Sequence, residues 1–562
     1  MLKQQIYDKK LILWFLVAAF LILDPLLESW GLFMVRDIFD AMLINENLRS
    51  VLISFFIVGA LWTVKRLSGF FQGVVTIYLV KKIKVDWRSL VFKGIMKVRP
   101  SDYKNLDSGD YSSMFLNDIT ILEGRYLYNL IQLIADMFTI IILSAALVNL
   151  DKRLATVILI ISFIALVVPL FAQKILRKYN FAYSVQLSRF TQRLKEYFSA
   201  YMTIRNYNSE SHIDGLFENE NESVEQKKYE TDYVITFTSN IGTQFAFMTY
   251  FATVAYGIFL YYKGQMTVGT IIAAATFAQS LGEPVMMIIT RLNNIKSVST
   301  IMKKLNDVVL KDSGEKEDTD EDVCFNNVEF DNVGININRK QILNNFTYTF
   351  ERGKKYLIIG KNGSGKSSLV KILKQYFSDY SGVVRIDKKP INDFPSNIIN
   401  NGISYMSEGV SLLSYSVEDN IAMFKPYQTA EIQRVSKEVF LNVELDRMLR
   451  DDGINVSSGE RRRIEIARSL VNKAEVMIFD EVISTLDIET AYEIEKQALS
   501  IENKIIIFIS NNFSGKLIDQ YDEILLLSDG MLATHGKYHE LLESNEYFRN
   551  IYDIRFGNRH EN

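Results

Sequence analysis

Six apolar runs of about 20 residues occupy the first 300 positions, at roughly 11 to 33, 50 to 80, 126 to 149, 154 to 175, 236 to 262 and 268 to 290. A helix needs about 20 such residues to cross the hydrocarbon core of a bilayer. Hydrocarbon supplies no partner for the backbone, so runs of this length are confined to helices that satisfy their own N–H and C=O groups. The sequence therefore predicts an α-helical transmembrane domain of six long helices over 1–310. The first run is too long for a signal peptide, lacks a small-residue cleavage site and is followed by five more.

Lysine and arginine placement orients the bundle. The segments KQQIYDKK (3–10), KKIKVDWRSLVFKGIMKVR (81–99) and QKILRK (173–178) are basic and fall on one side of a six-span chain. The other side receives ESWGLFMVRDIFDAMLINEN and two short turns, NLDKR and YYKGQ. Both termini are thus expected in the cytoplasm of a multi-pass protein of the cell membrane, with membrane lipid as its surroundings. The connections at 81–125 and 176–235 are long and helical in pattern, which predicts that the helices continue beyond the membrane.

Ionisable residues inside spans are costly and usually face a cavity or a partner. Asp24 and Glu28 lie one helical turn apart on the first span, Lys65 and Arg66 fall in the second, Asp136 in the third and Glu283 in the sixth. One reading has them pairing to hold the bundle. The other has the surplus of acids lining a pathway for a cationic or amphipathic substrate.

Residues 311–322, KDSGEKEDTDED, carry no aliphatic or aromatic side chain and read as an acidic linker. Beyond it, 323–562 has the pattern of an α/β domain. KKYLIIG (354–360) reads as a strand ending in GKNGSGKS (360–367), which opens a helical SSLVKILKQY. Strand, glycine loop and helix in this order form a phosphate-binding loop. Its backbone N–H groups and the helix N-terminus suit an anion, Lys366 suits the β and γ phosphates, and Ser367 suits Mg²⁺. The loop residues assigned to nucleotide are Gly360, Lys361, Asn362, Gly363, Ser364, Gly365, Lys366, Ser367 and Ser368. Further on, EVMIFDEV reads as a buried strand ending at Asp480 and Glu481, placed for a Mg²⁺ water shell and for polarising an attacking water. A net charge of -3 argues against nucleic acid as the main partner. The single Cys324 excludes an intramolecular disulfide framework, and His535 and His539, with Gly536 between them, read as structural.

Six spans, a phosphate loop, VSSGERRRIEIARSL (456–470), IFDE and STLD in one chain closely resemble an ABC exporter half-transporter, with membrane and nucleotide-binding domains of ABC ATPase type fused. In this resemblance SGDYSSMFLNDI (108–119) and YMTIRNYNSESH (201–212) are similar to the family's two cytoplasmic coupling regions. The resemblance implies a dimer in which ATP and Mg²⁺ are sandwiched between the phosphate loop of one chain and the signature motif of the other. The signature would be VSSGE against the usual LSGGQ. Ser457 and Gly459, which touch phosphate, are kept. Ser458 replaces glycine and narrows backbone freedom, while Glu460 adds a charge that Arg461 to Arg463 are placed to offset. Glu408 stands where the family has a Mg²⁺-sensing glutamine, Asn511 where it has a switch histidine, and Asp487 lies in the STLD run that communicates across the dimer. Ile335 and Ile337 stand where an aromatic platform for adenine is usual.

Retention of Glu481 beside these departures predicts slow but real ATP hydrolysis driving export by alternating access. The function expected is export of a small peptide or other amphipathic or cationic compound by a homodimer. The alternatives are a catalytically weak ATP-binding subunit of a heterodimer, and a lipid flippase or multidrug exporter. The first span begins near residue 11, which in this family leaves no room for the cysteine peptidase domain that some peptide exporters carry.

Overall fold

The computed structural model describes residues 2–7, 10–43, 48–98, 108–310, 324–337, 340–377, 379–407, 411–472, 474–482, 488–510 and 515–556. The chain divides into two compact units, the first of Met1–Met96 with Asp107–Lys311 and the second principally of Asp312–Asn562. The acidic linker lies outside the described residues.

The first unit is helical: α1 Leu11–Leu43, α2 Leu48–Met96, α3 Tyr128–Leu150, α4 Lys152–Ser199, α5 Glu210–Tyr262, α6 Val268–Ser297 and α7 Ser299–Leu310. Two short π-turns, Met114–Asp118 and Glu123–Leu127, lie in the helical segment that leads into α3. Among the described residues five helices are long and apolar enough to cross a membrane. The fourth expected span falls on α4, where the side chains of 165–174 lie outside the described residues.

At 49 residues, α2 would measure about 73 Å, more than twice the ~30 Å hydrocarbon core. Only 6% of its apolar window is buried within the chain, which leaves an apolar surface of the kind that hydrocarbon solvates. Where the helices do pack, Leu32, Leu143, Leu147, Ile158, Phe277 and Leu281 join α1, α3, α4 and α6 in one cluster. The turn between α3 and α4 is tight because Asp151 leaves helical geometry and its carboxylate caps Arg153 N at 2.8 Å and Leu154 N at 3.1 Å. At the far end of α2, buried Trp87 donates its indole N–H to Leu2 O at 3.0 Å, and a Cβ on Gly94 would stand 2.8 Å from Val308 O of α7.

Among the described residues the second unit holds ten strands: β1 Asn327–Ile337, β2 Lys340–Glu351, β3 Lys355–Gly360, β4 Ser381–Ile386, β5 Lys389–Pro390, β6 Ile403–Met406, β7 Val476–Asp480, β8 Ile505–Ile509, β9 Glu523–Ser528 and β10 Met531–Gly536. They form a sheet of order β2-β1-β4-β5 and another of order β10-β9-β3-β8-β7-β6. In the second sheet β9, β3, β8, β7 and β6 are parallel and β10 is an antiparallel edge. Central strands β7 and β8 are buried at every position, which is why they read as unbroken apolar runs. Period two still governs which face each residue serves. Leu357, Ile359, Met477 and Phe479 join one core with Ile464 and Ala467 of the helix Ser458–Val471, while Tyr356, Ile358, Val476 and Ile478 join another with Leu369 and Leu373 of the helix Lys366–Leu373.

Candidate functional site

Parallel strands deliver their carboxyl ends to one edge of the sheet, where open α/β sheets bind ligands. Ile358 and Asp480 both pair with Ile509 of β8, so β3, β7 and β8 end at one level. From that edge the phosphate loop leaves β3, Asp480 and Glu481 leave β7, and Ser510 leaves β8. Glu481 N donates to Ile509 O at 2.9 Å and Ser510 N to Ile358 O at 3.3 Å, which closes the edge.

Two glycines are fixed by close approach. A Cβ on Gly360 would stand 2.3 Å from Leu527 O, and Gly365, at φ +98°, would bring one 2.7 Å from Leu343 Cδ2. Gly365 caps the helix α8, Lys366–Leu373, and Gly363 is also left-handed. Lys366 folds back into the loop it follows, donating from Nζ to Gly360 O at 2.5 Å and Lys361 O at 3.1 Å. Burial pushes the Lys366 ammonium below its usual pKa range, while the Glu481 and Asp480 carboxylates oppose that shift. Lys361 and Asn362 are exposed, and Ser367 and Ser368 are half-buried in the first turn of α8.

Among the described residues, two polar atoms at this edge are buried without a hydrogen-bond partner: Ser364 Oγ and Asp480 Oδ1. Leaving such an atom unmade costs about 1–3 kcal/mol. A hydroxyl within the phosphate loop and a free carboxylate oxygen beside it are the groups that phosphate and a hard divalent cation take, so the residues fit MgATP. Asp480 Oδ2 is occupied by the Tyr405 hydroxyl, which donates at 3.1 Å. Glu481 sits at φ +56°, a conformation a non-glycine residue holds at some cost, and one that turns its side chain out of the strand line. Glu408, Asp487 and Asn511 lie outside the described residues.

The signature stretch opens α9, Ser458–Val471. Ser457 is its N-cap, and Glu460 reaches back in a reciprocal capping box: Glu460 N donates to Ser457 Oγ at 3.2 Å, while Ser457 N and Oγ donate to Glu460 Oε2 at 2.8 and 2.9 Å. Two expectations are corrected here. Ser458 occupies the first helical position and does not need positive φ, so its Cβ takes nothing from the backbone. The Glu460 charge is answered by the cap it makes, whereas the arginines turn elsewhere: Arg461 to Asp452 at 3.3 Å, Arg462 to Glu465 at 2.5 Å and Arg463 to Thr490 Oγ1 at 2.8 Å. Gly459 has open space around the position a Cβ would take. Ile335 is buried in the β1 core and presents no face for a base, and the Ile337 side chain lies outside the described residues.

In the helical unit Lys65 Nζ pairs with Glu28 Oε2 at 2.8 Å and Asp24 Oδ2 at 3.7 Å, and Ser280 Oγ donates to Glu28 Oε1 at 2.5 Å. Those contacts tie α1, α2 and α6. Buried Asp136 is paired with Arg291 of α6, a partner that the sequence reading missed because Arg291 lies just past the end of the expected sixth span. Glu283 and Arg66 are exposed. Tyr405 was also missed; its signal is the register of ISYM beside VMIFD, in which Tyr405 opposes Ile478 and Met406 opposes Phe479.

Comparison with known proteins gives a consistent result. The ABC transporter transmembrane region profile matches residues 14–285 and the ABC transporter profile matches 343–484. The uncharacterized ABC transporter ATP-binding protein YfiB of Bacillus subtilis strain 168 is 24% identical over 562 residues, covering 96% of each chain. An ATP-dependent lipid A-core flippase of Pseudomonas syringae is 24% identical over 86% of this chain and 82% of its own length. Among solved structures, a bacterial Atm1-family ABC exporter with ATP bound superposes with a TM-score of 0.82 at 17% identity, over 96% of this chain and 97% of that one.

Proposed function

Because the chain belongs to the ABC transporter family, as an exporter-type half-transporter that couples ATP hydrolysis to transport across a membrane, we propose that it exports an amphipathic, positively charged compound as a homodimer. The observation that carries the nucleotide chemistry is the meeting of Lys366, Asp480 and Glu481 at one sheet edge, with Ser364 Oγ and Asp480 Oδ1 left open there. In this reading Gly360 to Ser368 hold the phosphates of ATP, and Ser367 and Asp480 hold Mg²⁺ with Glu408. Bound Mg²⁺ would neutralise charge on the β and γ phosphates. Glu481 orients and deprotonates the attacking water, and Asn511 contributes a neutral hydrogen bond where a histidine would carry charge.

The signature of one protomer completes the site of its partner through Ser457 and Gly459, with Asp487 between the two sites. Glu460 makes that contact conditional, since its carboxylate already occupies the Ser457 hydroxyl that would meet phosphate. Glu460→Gln keeps an acceptor for both cap hydrogen bonds and removes the charge. It is expected to leave the melting temperature within ~2 °C and raise ATPase turnover about threefold, an effect of well under one decade in rate; unchanged turnover in a steady-state assay counts against the conditional contact.

For the cargo, Glu283 is the exposed one among Asp24, Glu28, Asp136 and Glu283, and Asp24 is the looser of the two carboxylates at Lys65, so these two support a cationic group in the pathway. Glu28, Lys65 and Asp136 serve the bundle through their pairs. Asp24→Asn and Glu283→Gln are expected to lower transport of a cationic cargo about fivefold each while sparing basal ATPase, as loss of one exposed charge contact of ~1 kcal/mol allows. Substrate-stimulated ATPase in proteoliposomes over a panel of peptides, lipids and dyes tests the class; stimulation by neutral lipid alone moves the reading to a flippase.

A second reading keeps the same fold but assigns the chain to a heterodimer with a fully active half-transporter. It rests on Glu408, Asn511 and VSSGE occurring together. Mass measurement of the purified protein in nanodiscs separates the two, because an active homodimer excludes the need for a partner.

A further inference from the structure

We propose that Tyr405 is a positioning residue for Asp480, selecting which of its carboxylate oxygens is presented to the divalent cation. The inference rests on the reading that Asp480 faces Mg²⁺. The two oxygens of a carboxylate are chemically equivalent, and rotation about its last bond exchanges them. Here they are made inequivalent. The Tyr405 hydroxyl donates to Oδ2 at 3.1 Å, and Oδ1 is buried with no partner among the described residues. Asp480 ends a strand that is buried at every position, so the carboxylate has little solvent with which to satisfy either oxygen.

The placement follows from the sheet. Strand β6 runs parallel to β7 in a register that sets Tyr405 opposite Ile478, two residues before Asp480, from where a tyrosine is long enough to reach the strand end. A tyrosine hydroxyl carries its proton at neutral pH, so it serves the carboxylate as a donor. The chain leaves β6 after Met406, and the Ser407 carbonyl that follows accepts from Arg462 of α9; Glu408 is the next residue in the sequence. Tyr405 therefore ties the stretch that leads to one proposed metal contact to the side chain that supplies the other.

The test uses the purified full chain, a non-hydrolysable ATP analogue and Mn²⁺ followed by electron paramagnetic resonance. Tyr405→Phe keeps the ring and removes the donor. It is expected to raise the Mn²⁺ dissociation constant about tenfold, the worth of one hydrogen bond to a charged group, while binding of a fluorescent ATP analogue in EDTA changes less than ~2-fold. Unchanged Mn²⁺ binding overturns the inference. So does an equal loss of nucleotide binding in EDTA, which would assign the hydroxyl to strand packing. Asp480→Asn in the same titration separates the two levels: if it leaves Mn²⁺ binding intact, the metal reading of Asp480 fails, whereas weakened binding there with a normal Tyr405→Phe removes only the role of Tyr405.

Discussion

Glu481→Gln is expected to lower ATP turnover by about 10²- to 10⁴-fold, the range that removing a positioned general base produces, while ATP still binds. The reasoning begins with backbone. Residue 481 follows a strand whose every position is buried, yet it adopts φ +56° and returns its N–H to Ile509 O. That conformation ends the strand and brings the side chain to the edge where Lys366 and Asp480 already stand. Glutamine has the same shape and cannot accept the proton of the attacking water. Phosphate release by the purified protein in lipid, with nucleotide binding measured in parallel, is the check. Turnover within threefold of the parent would remove Glu481 from the reaction.

Lys366→Ala should weaken ATP binding about 100-fold, equivalent to roughly 3 kcal/mol for a charge-assisted contact. Two effects add. The ammonium is lost, and so is the donor that Gly360 O and Lys361 O share at 2.5 and 3.1 Å, which frees the loop to lose its curl. Lys366→Arg is no remedy, because a compact ammonium at the first residue of the helix is what the two carbonyls hold, and a planar guanidinium fork presents its donors differently. Titration with a fluorescent nucleotide gives the affinity, and a loss smaller than threefold would mean that the phosphates do not meet Lys366.

Legibility in the sequence followed the length scale of the interaction. Helix number and the phosphate loop depend on composition over 20 residues and on spacing over eight, and both can be read from the string. The strand KKYLIIG and its glycine loop came out as expected because Gly360 and Gly365 are demanded by backbone approach, which no other residue type fits. Long-range pairs were less legible. Asp136 is placed in a span by its neighbours, but its partnership with Arg291 spans 155 residues and exists only through the packing of α3 on α6. Tyr405 carries no motif of its own and acquires its contact from a parallel register. In VSSGE the difficulty was of another kind. Compared letter by letter with a consensus, Ser458 and Glu460 look like defects. As a helix start, they are an N1 residue and the second half of a capping box.

Helix α2 runs without a proline from Leu48 to Met96. Lys65 joins the membrane-level ion pairs, and Gly94, about 44 Å further along the axis, lies against α7. A tilt of about 5° about Lys65 would sweep the far end through roughly 4 Å, more than a hydrogen bond can stretch. The Glu28 and Asp24 contacts sit at that pivot, where the angle of the helix is held. A change in the angle set there is enlarged, by length alone, at the close approach of Gly94 to Val308 of α7.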